Sequence, residues 1–335
     1  MNIFMIESPL QLINAIEAKH HFSIKKEEAV LLILQAENEN TMKQIANMVS
    51  KEEWADVQVI GSGTGKVTWV TRLFSSRNVV KRYQQVNYIF IGDYRSDIMR
   101  DFVVSVNHKK VYLLDDGNVT IRMFEMISNG RLPQDSGAKF IIKSAFKKVL
   151  TPKAPKNNEI TNIAFFTTFD LKSDHIEIVK NNYEYFSSIS KNQEKKPVFF
   201  FLGAPLSEKN VMASEERYIE YLRQVKRYLQ DTEMVYIPHR SESPEKLDKI
   251  KNELNIKVTT IQTCIEFELS KNPYLPEGLG SFYSSALGTC HQIFKDLIEI
   301  KAFYLQPQDL AEKNQPEIEK IYRYYGEFMD VVKDY

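Results

Sequence analysis

Two adjacent aspartates, Asp115 and Asp116, follow the apolar run 111–114 and precede Gly117. Adjacent like charges raise one another's pKa, so one of these carboxylates is suited to accept a proton near neutral pH. The alternative interpretation is an aspartate turn that caps the following segment. The pair is therefore a candidate general base, and the turn stays open as an alternative.

A histidine and an arginine follow a second apolar run, 234–237. His239 comes directly after Pro238 and is followed by Arg240. A guanidinium balances the charge of a phosphate and an imidazole can donate a proton to it, so this pair suits a leaving phosphate. A purely structural histidine at a strand end is the alternative.

The glycine- and serine-rich stretch 278–287 is predicted to be a loop that opens a helix. Free N–H groups at a helix start, together with the hydroxyls of Ser284 and Ser285, can bind an anion without a metal, although serine is also an ordinary N-cap. A carboxylate at Glu266 could accept hydrogen bonds from a ribose diol, or it could be a surface glutamate. The segment 61–66 lacks residues that the phosphate-loop and dinucleotide motifs require, so it is interpreted as a flexible turn.

Metal ligands and cysteines give little in this sequence. No His-x-Glu, His-x-x-x-His or Asp-x-Asp pattern stands at the end of a predicted strand, so no metal site is predicted. The two cysteines, Cys264 and Cys290, form no disulfide framework and no cysteine-based zinc site. We interpret them as buried thiols in a reducing compartment.

Short apolar runs that alternate with helical segments position these residues. Residues 2–6 and 29–34 predict buried strands, and Ser8 followed by Pro9 predicts a helix start. A helix is also predicted over 40–48, and strands over 57–60, 88–91 and 111–114. Strands that alternate with helices imply a parallel sheet covered on both faces.

The alternation breaks at 151–158, where two prolines occur without apolar periodicity. This predicts a linker between an N-terminal, acceptor-side domain, 1–150, and a C-terminal nucleotide-sugar domain, 159–335. In the second domain, strands are predicted over 163–166, 197–202, 234–237 and 256–260, and helices after Ser214 and over 286–297 and 317–332. Two α/β units of similar size predict two facing Rossmann-like domains with parallel sheets, with ligands beyond the carboxyl ends of the strands.

Composition excludes several classes of protein. The 335 residues include 44 Lys+Arg and 44 Asp+Glu, and the zero net charge argues against a nucleic-acid binder. Hydrophobic residues make up 43%, which excludes a mostly disordered chain. The segment 1–7 lacks the basic start of a signal peptide, and no apolar stretch approaches the ~18 residues that span a bilayer. The sequence therefore predicts a cytoplasmic protein.

A basic amphipathic segment, 139–156, contains no acidic residue. Its lysines are Lys139, Lys143, Lys147, Lys148, Lys153 and Lys156. Each lysine near an anionic leaflet contributes about 1 kcal/mol, so the segment is a candidate for peripheral contact with the inner face of the plasma membrane. A solvated helix face is the alternative.

Taken in order, the motifs resemble those of bacterial sialyltransferases of glycosyltransferase family 52, the lipooligosaccharide sialyltransferases. The resemblance runs from Asn2 to about Leu297. Its motifs are Leu-Asp-Asp-Gly at 114–117, Phe-Leu-Gly-Ala-Pro at 201–205, Tyr-Ile-Pro-His-Arg at 236–240, Ile-Glu at 265–266 and Phe-Tyr-Ser-Ser-Ala-Leu at 282–287. It implies a GT-B fold and an inverting, metal-independent transfer of sialic acid from CMP-sialic acid to a terminal sugar, with galactose as our choice, of a bacterial lipooligosaccharide or capsule.

The resemblance also implies roles for residues on the donor side. His239 matches the family histidine that assists departure of the CMP phosphate, and Glu266 matches the carboxylate that holds the donor ribose. Ser284 and Ser285 match the serine-containing phosphate loop. The remaining donor-side candidates also lie in the motifs. Gly203 belongs to the motif at 201–205, and Pro238 and Arg240 flank His239 in the motif at 236–240.

The base is where this sequence departs from the family. Asp115 and Asp116 match an acidic pair whose first carboxylate is the base in related sialyltransferases. In some members the base is instead an aspartate at the position that is Leu206 here. In this sequence Glu208 follows two residues later. The usual His-Pro order is also replaced by Pro238 before the histidine. We predict Asp115 as the base, Asp116 in support and Glu208 in reserve.

These expectations define the partners. The protein is expected to need no cofactor, to use CMP-sialic acid as its donor substrate and a glycan as its acceptor, and to bind no nucleic acid. A homodimer is a further candidate, as is packing of the last helix on the first domain. The alternatives are a GT-B glycosyltransferase that uses another nucleotide-sugar and a non-catalytic nucleotide- or glycan-binding module.

Overall fold

A computed structural model describes residues 1–36, 38–62, 66–117, 119–130 and 162–335, and only the backbone of residues 66–70 and 73. The predicted linker at 151–158 and the basic segment 139–156 lie outside the described residues, as do positions 63–65 of the glycine-rich segment. The chain divides into two compact units, Met1–Tyr185 and Phe186–Tyr335.

The first unit is built on a parallel sheet whose described strands run in the order β3-β2-β1-β4-β5-β6-β7. These strands are β1 (Asn2–Ile6), β2 (Ala29–Leu34), β3 (Asp56–Ile60), β4 (Tyr88–Ile91), β5 (Lys110–Leu114), β6 (Ile163–Thr167) and β7 (Glu177–Lys180). The described helices are α1 (Pro9–His21), α2 (Glu39–Met48), α3 (Lys66–Arg82), α4 (Asp97–Ser105) and α5 (Val119–Ser128). β1 and β2 are buried along their whole length, as expected of inner strands covered on both faces.

The second unit contains another parallel sheet, with its described strands in the order β10-β9-β8-β11-β12-β13. They are β8 (Glu194–Leu202), β9 (Glu233–Ile237), β10 (Lys257–Val258), β11 (Tyr274–Ser281), β12 (Glu299–Phe303) and β13 (Asp330–Val332). The unit boundary falls in α6 (Glu184–Ser190), and the later described helices are α7 (Glu215–Tyr228), α8 (Pro244–Leu254), α9 (Ile265–Lys271), α10 (Ala286–Phe294) and α11 (Gln315–Tyr325).

Two helix starts are as predicted. The hydroxyl of Ser8 accepts the backbone N–H of Gln11 at 3.2 Å, and Pro9 is the first residue of α1. Ser214 caps α7 in the same way, accepting the N–H of Arg217 at 3.2 Å. In both cases a side-chain oxygen satisfies a donor that has no partner within its own helix.

The division into domains 1–150 and 159–335 needs correction. β6 was predicted to belong to the second domain and β7 was not predicted, but both continue the first sheet. β6 pairs with β5, with Val111 opposite Ile163, and β7 pairs with β6. The boundary between the units therefore lies after Tyr185. The proline-containing segment 151–158 lies in the chain between β5 and β6, which are neighbours in one sheet. The prediction of a domain boundary failed there because the pairing of strands is a long-range property that local composition does not encode.

Two elements of the second unit also differ from the prediction. Residues 274–281 form β11 between β8 and β12, although part of this stretch was expected to be a loop. The ring of Phe199 explains its glycines: a Cβ at Gly278 would lie 2.6 Å from that ring, and one at Gly280 2.8 Å from it. The helix predicted over 317–332 ends at Tyr325, and β13 follows.

Along the chain, successive strands first extend each sheet toward one edge and then toward the opposite edge, so each sheet has one point at which the strand order reverses. In the first sheet the reversal lies between β1 and β4, and in the second between β8 and β11. In open parallel sheets, ligands bind outside the carboxyl ends of the strands at such points. No helix among the described residues combines the length and apolar character needed to cross a membrane.

Candidate functional site

Asp115 directly follows β5 and is a buried carboxylate, with 3% of the residue exposed. Its Oδ2 accepts the backbone N–H of Thr168 at 2.7 Å, and its main-chain oxygen accepts Nδ2 of Asn14 at 3.0 Å. Its Oδ1 is buried without a hydrogen-bond partner among the described residues. Burial raises the pKa of Asp115 to about 6 against the opposing hydrogen bonds of Thr167 and Thr168. Such a carboxyl can take up a proton near neutral pH.

Asp116 is only half-buried and has a different environment. Its Oδ2 accepts a hydrogen bond from Arg95 at 3.2 Å, and its backbone N–H donates to Oγ1 of Thr120 at 2.9 Å. Burial raises the pKa of Asp116, whereas a hydrogen bond from Gln11 and the charge of Arg95 act in the opposite direction. The guanidinium of Arg95 also binds Asp93, with Nη2 and Oδ2 2.9 Å apart. Sequence reasoning missed Arg95 as the partner of this aspartate.

More charged groups stand at the reversal point of the first sheet. Glu7 follows β1, and its backbone N–H donates to Oε1 of Gln11 at 2.8 Å. A Cβ at Gly92, the residue after β4, would lie 2.2 Å from that same oxygen, so glycine leaves room for Gln11. Burial raises the pKa of Glu7, and Asp93 and Asp116 act on it in the same direction. The carboxyl edge of this unit is thus an acidic cluster centred on Arg95.

His239 follows β9 in the second unit, separated from it by Pro238, and its imidazole is half-buried. Its Nδ1 lies 3.1 Å from the backbone nitrogen of Ser241, which can only donate. A neutral ring in this position therefore carries its proton on Nε2. Burial lowers the pKa of His239, and the charges of Lys209 and Arg240 lower it further. The lowered pKa favours the neutral form of the imidazole, which donates a hydrogen bond through Nε2.

The other candidates of this unit follow adjacent strand ends. Gly203 comes directly after β8, and Ser284 and Ser285 come after β11, the neighbour of β8 at the reversal point. Ser284 Oγ accepts the backbone N–H of Ala286 at 3.3 Å. Ser285 precedes α10 and makes no side-chain cap hydrogen bond to the helix. The N–H of Leu287 donates to the main-chain oxygen of Ser284 at 3.0 Å, so the first two N–H groups of α10 are already bonded, and the Ser285 hydroxyl is the remaining candidate for binding an anion.

Gly203 has a structural reason to be glycine. A Cβ there would lie 2.3 Å from Oε2 of Glu242 and 2.4 Å from Oη of Tyr236. These two side chains, together with the buried Lys246, underlie the segment that carries His239. Glu242 and Lys246 have no signal in the sequence, because a glutamate and a lysine four residues apart are typical of an exposed helix face, and only their burial distinguishes them.

Glu208 does not have the environment of a general base. Its Oε1 accepts the N–H of Ser243 at 3.0 Å, and its Oε2 accepts from Ser207 and Lys246 at 3.0 and 3.3 Å. Burial opposes ionisation, but the N–H groups of Glu208 and Ser243 and the charge of Lys246 together lower the pKa of Glu208. This carboxylate is held ionised, and all its contacts serve the structure around α8.

Glu266 lies in the first turn of α9 and is 6% exposed, so the surface alternative is wrong. Burial raises its pKa, while a hydrogen bond with Cys264 lowers it. Cys290 is buried, and its burial, together with the charge of Glu266, raises the pKa of its thiol. The ribose contact stays a prediction. Within the described ranges, no cluster of three or more His, Cys, Asp or Glu side chains is arranged to hold a metal ion.

No protein-family model matches the sequence, and a search of curated proteins gave no match. Solved structures are similar in fold. UDP-GlcNAc 2-epimerase from Methanocaldococcus jannaschii is 12% identical with a TM-score of 0.50, and the alignment covers 100% of this chain and 94% of the epimerase. A glycosyl transferase of family 9 from Veillonella parvula is 9% identical with a TM-score of 0.42, over 91% of this chain and 81% of its own. MurG from Acinetobacter baumannii is 9% identical with a TM-score of 0.41, over 99% and 86%.

The likeness to the epimerase covers both units and concerns the fold alone. Together with the two parallel sheets, it confirms the predicted α/β class of the GT-B type.

Proposed function

We propose that this chain is an inverting, metal-independent sialyltransferase that moves sialic acid from CMP-sialic acid to a terminal galactose of a bacterial surface glycan. The observation that carries the proposal is Asp115. It combines a raised pKa of about 6 with a buried oxygen that has no partner among the described residues. A buried polar atom without a partner is costly, and an acceptor hydroxyl that donates to Oδ1 would satisfy it.

The proposed chemistry balances with two side chains, Asp115 and His239. The acceptor oxygen forms a bond to the anomeric carbon of sialic acid as the bond from that carbon to the phosphate oxygen breaks. Asp115 takes the hydroxyl proton, and the Nε2–H of His239 donates to the departing phosphate. The phosphate is proposed to bind Arg240, Ser284 and Ser285. The ribose is proposed to bind Glu266, and Gly203 and Pro238 are proposed to shape the region around the phosphate. Asp116 and Arg95 are proposed to contact the acceptor.

The alternative donors are separated by ligand binding. CMP is expected to raise the melting temperature of the protein, whereas UDP is not. A ligand at about 100 times its dissociation constant stabilises the folded state by about 2.7 kcal/mol, which a thermal-shift assay detects. CMP-sialic acid and a lactose-type acceptor should then release CMP with EDTA present. A requirement for a divalent ion, or a shift with UDP alone, would contradict the proposal, and CMP binding without turnover would favour a non-catalytic module.

Variants test the assignment of the two groups. His239→Ala is expected to lower turnover by roughly 10²–10⁴-fold while CMP-sialic acid still binds, because it removes a proton donor. Asp115→Asn should lower turnover to a similar extent, and Glu208→Gln should lower it less. Asp174→Asn, at an exposed aspartate of the first unit, is the control. An active Asp115→Asn protein together with an inactive Glu208→Gln protein would refute Asp115 as the base.

A further inference from the structure

A buried polar network lies beneath the segment that carries His239. Its centre is Lys246 of α8, whose side chain is 0% exposed. The Nζ atom lies 2.8 Å from Oε1 of Glu242, 2.9 Å from the main-chain oxygen of Ala204 and 3.3 Å from Oε2 of Glu208. All three ammonium protons thus have an acceptor, and the cation also sits 3.7 Å from the centre of the ring of Tyr218. Lys246 therefore joins α8 to the end of β8.

Glu242 uses both of its oxygens in this network. Oε1 accepts from Tyr236 Oη at 2.6 Å in addition to Lys246, and Oε2 accepts the backbone N–H of His239 at 2.7 Å. The hydroxyls of Tyr236 and Tyr218 are 2.8 Å apart. Because Tyr236 gives its proton to Glu242, Tyr218 is the donor in that pair. We call Tyr218, Tyr236, Glu242 and Lys246 the Lys246 network.

The network ends on the backbone and ring of His239. Glu242 accepts the N–H of His239 through its side chain, and its own N–H donates to the main-chain oxygen of His239 at 2.9 Å. Inside this closed turn, the N–H of Ser241 donates to Nδ1 of the imidazole at 3.1 Å. The turn therefore fixes both the direction of the ring and the nitrogen that carries its proton.

Stability alone does not account for such a network. A buried lysine–glutamate pair loses the hydration of two ions, and well-packed apolar residues of similar volume often stabilise a fold as well or better. Glu242 accepts three hydrogen bonds at once, from Tyr236, from Lys246 and from the backbone N–H of His239. A protonated glutamate or an amide would instead present a donor to one of its present donors.

We propose that Glu242 and Lys246 are positioning residues that hold the imidazole of His239 with Nε2–H as its outward donor. The chemical use of that donor rests on the proposed function, but the arrangement itself does not. The charged groups around His239 are Glu208, Lys209, Arg240, Glu242 and Lys246. Removing the pair leaves the imidazole with fewer constraints, and its tautomer then changes.

The double variant Glu242→Gln/Lys246→Met tests this, because it removes both charges and leaves no buried ion alone. In the parent protein, ¹⁵N NMR of the imidazole should show the Nε2–H tautomer and a pKa below 6.5. In the double variant we expect a mixture of tautomers and a fall in kcat for CMP release of about 10²-fold with a smaller change in KM, because misplaced groups react slowly. The matched control is Glu215→Gln/Lys249→Met, which removes a Lys–Glu pair, 2.6 Å apart, that also involves α8.

A double variant that folds and keeps the parent tautomer would overturn the proposal, as would an Nδ1–H tautomer in the parent. If the double variant does not fold, Glu242→Gln decides. It should move the amide proton signal of His239 upfield, because a hydrogen bond to a carboxylate is lost, and an unmoved signal would count against us. These spectra need no substrate, so a failure to transfer sialic acid would contradict the proposed function alone.

Discussion

Replacing Asp115 with asparagine is expected to remove a pH-dependent destabilisation of the first unit while it removes the proposed base. Burial raises the pKa of Asp115 from 3.8 to about 6 in the folded protein. A carboxyl with a raised pKa contributes its full stability below the unfolded pKa, and that stability is lost as the pH rises through the folded pKa. The loss of stability therefore begins above about pH 3.8 and is complete above about pH 6, and a neutral asparagine shows no such loss.

The magnitude follows from the two pKa values. A difference of one in pKa corresponds to about 1.4 kcal/mol, so the step from 3.8 to about 6 corresponds to about 3 kcal/mol once the group is fully ionised. At pH 5 the same relation gives about 1.5 kcal/mol. The amide oxygen of asparagine can keep the hydrogen bond from Thr168. Other effects of the substitution on packing do not depend on pH in this range, so they cancel when two pH values are compared.

The chain offers a probe that reports on the first unit alone. Both of its tryptophans, Trp54 and Trp69, belong to that unit. Urea unfolding followed by tryptophan fluorescence should therefore show the gain of Asp115→Asn over the parent rising by roughly 1.5 kcal/mol between pH 5 and pH 7.5. Asp174→Asn should show no such rise. An equal gain at both pH values, or a gain that shrinks as the pH rises, would refute the reasoning.

Gly280→Ala should destabilise the second unit by about 1–3 kcal/mol, because its Cβ would lie 2.8 Å from the rings of both Phe199 and Phe303. Gly288→Ala in α10, where nothing lies within 4 Å, is the control in chemical denaturation and should not destabilise; equal losses would contradict the packing argument. The basic segment 139–156 predicts that the protein co-sediments with anionic liposomes at low salt and is released at high salt. A triple variant changes Lys143, Lys147 and Lys148 to glutamate. If it sediments with the liposomes as the parent does, membrane contact through these lysines is excluded.

Local sequence was sufficient where burial is continuous. β2 is apolar throughout and β1 is apolar after Asn2, and both strands have the predicted bounds. β11 was missed because Pro276, Gly278 and Gly280 have the composition of a turn. Their need for small side chains comes from the ring of Phe199, which reaches them from the neighbouring strand β8.

The candidate site shows the same division between local and distant information. Asp115 and His239 could be selected because each stands just after an apolar run. Glu242 and Lys246 could not, because a Glu and a Lys four residues apart are typical of an exposed helix face. Only the side chains that cover Lys246, such as Tyr218, distinguish this pair from the exposed pair of Lys249.

The contiguous division of the chain has a consequence for its synthesis. The last strand of the first sheet ends at Lys180, and the first strand of the second begins at Glu194. The ribosome therefore releases every strand of the first sheet before any strand of the second. At about 5–20 residues per second, residues 186–335 take roughly 8–30 s to translate, and the first unit can fold during that time. β8, by contrast, must wait for β11 before its second neighbour exists, so the second unit completes its sheet late in translation.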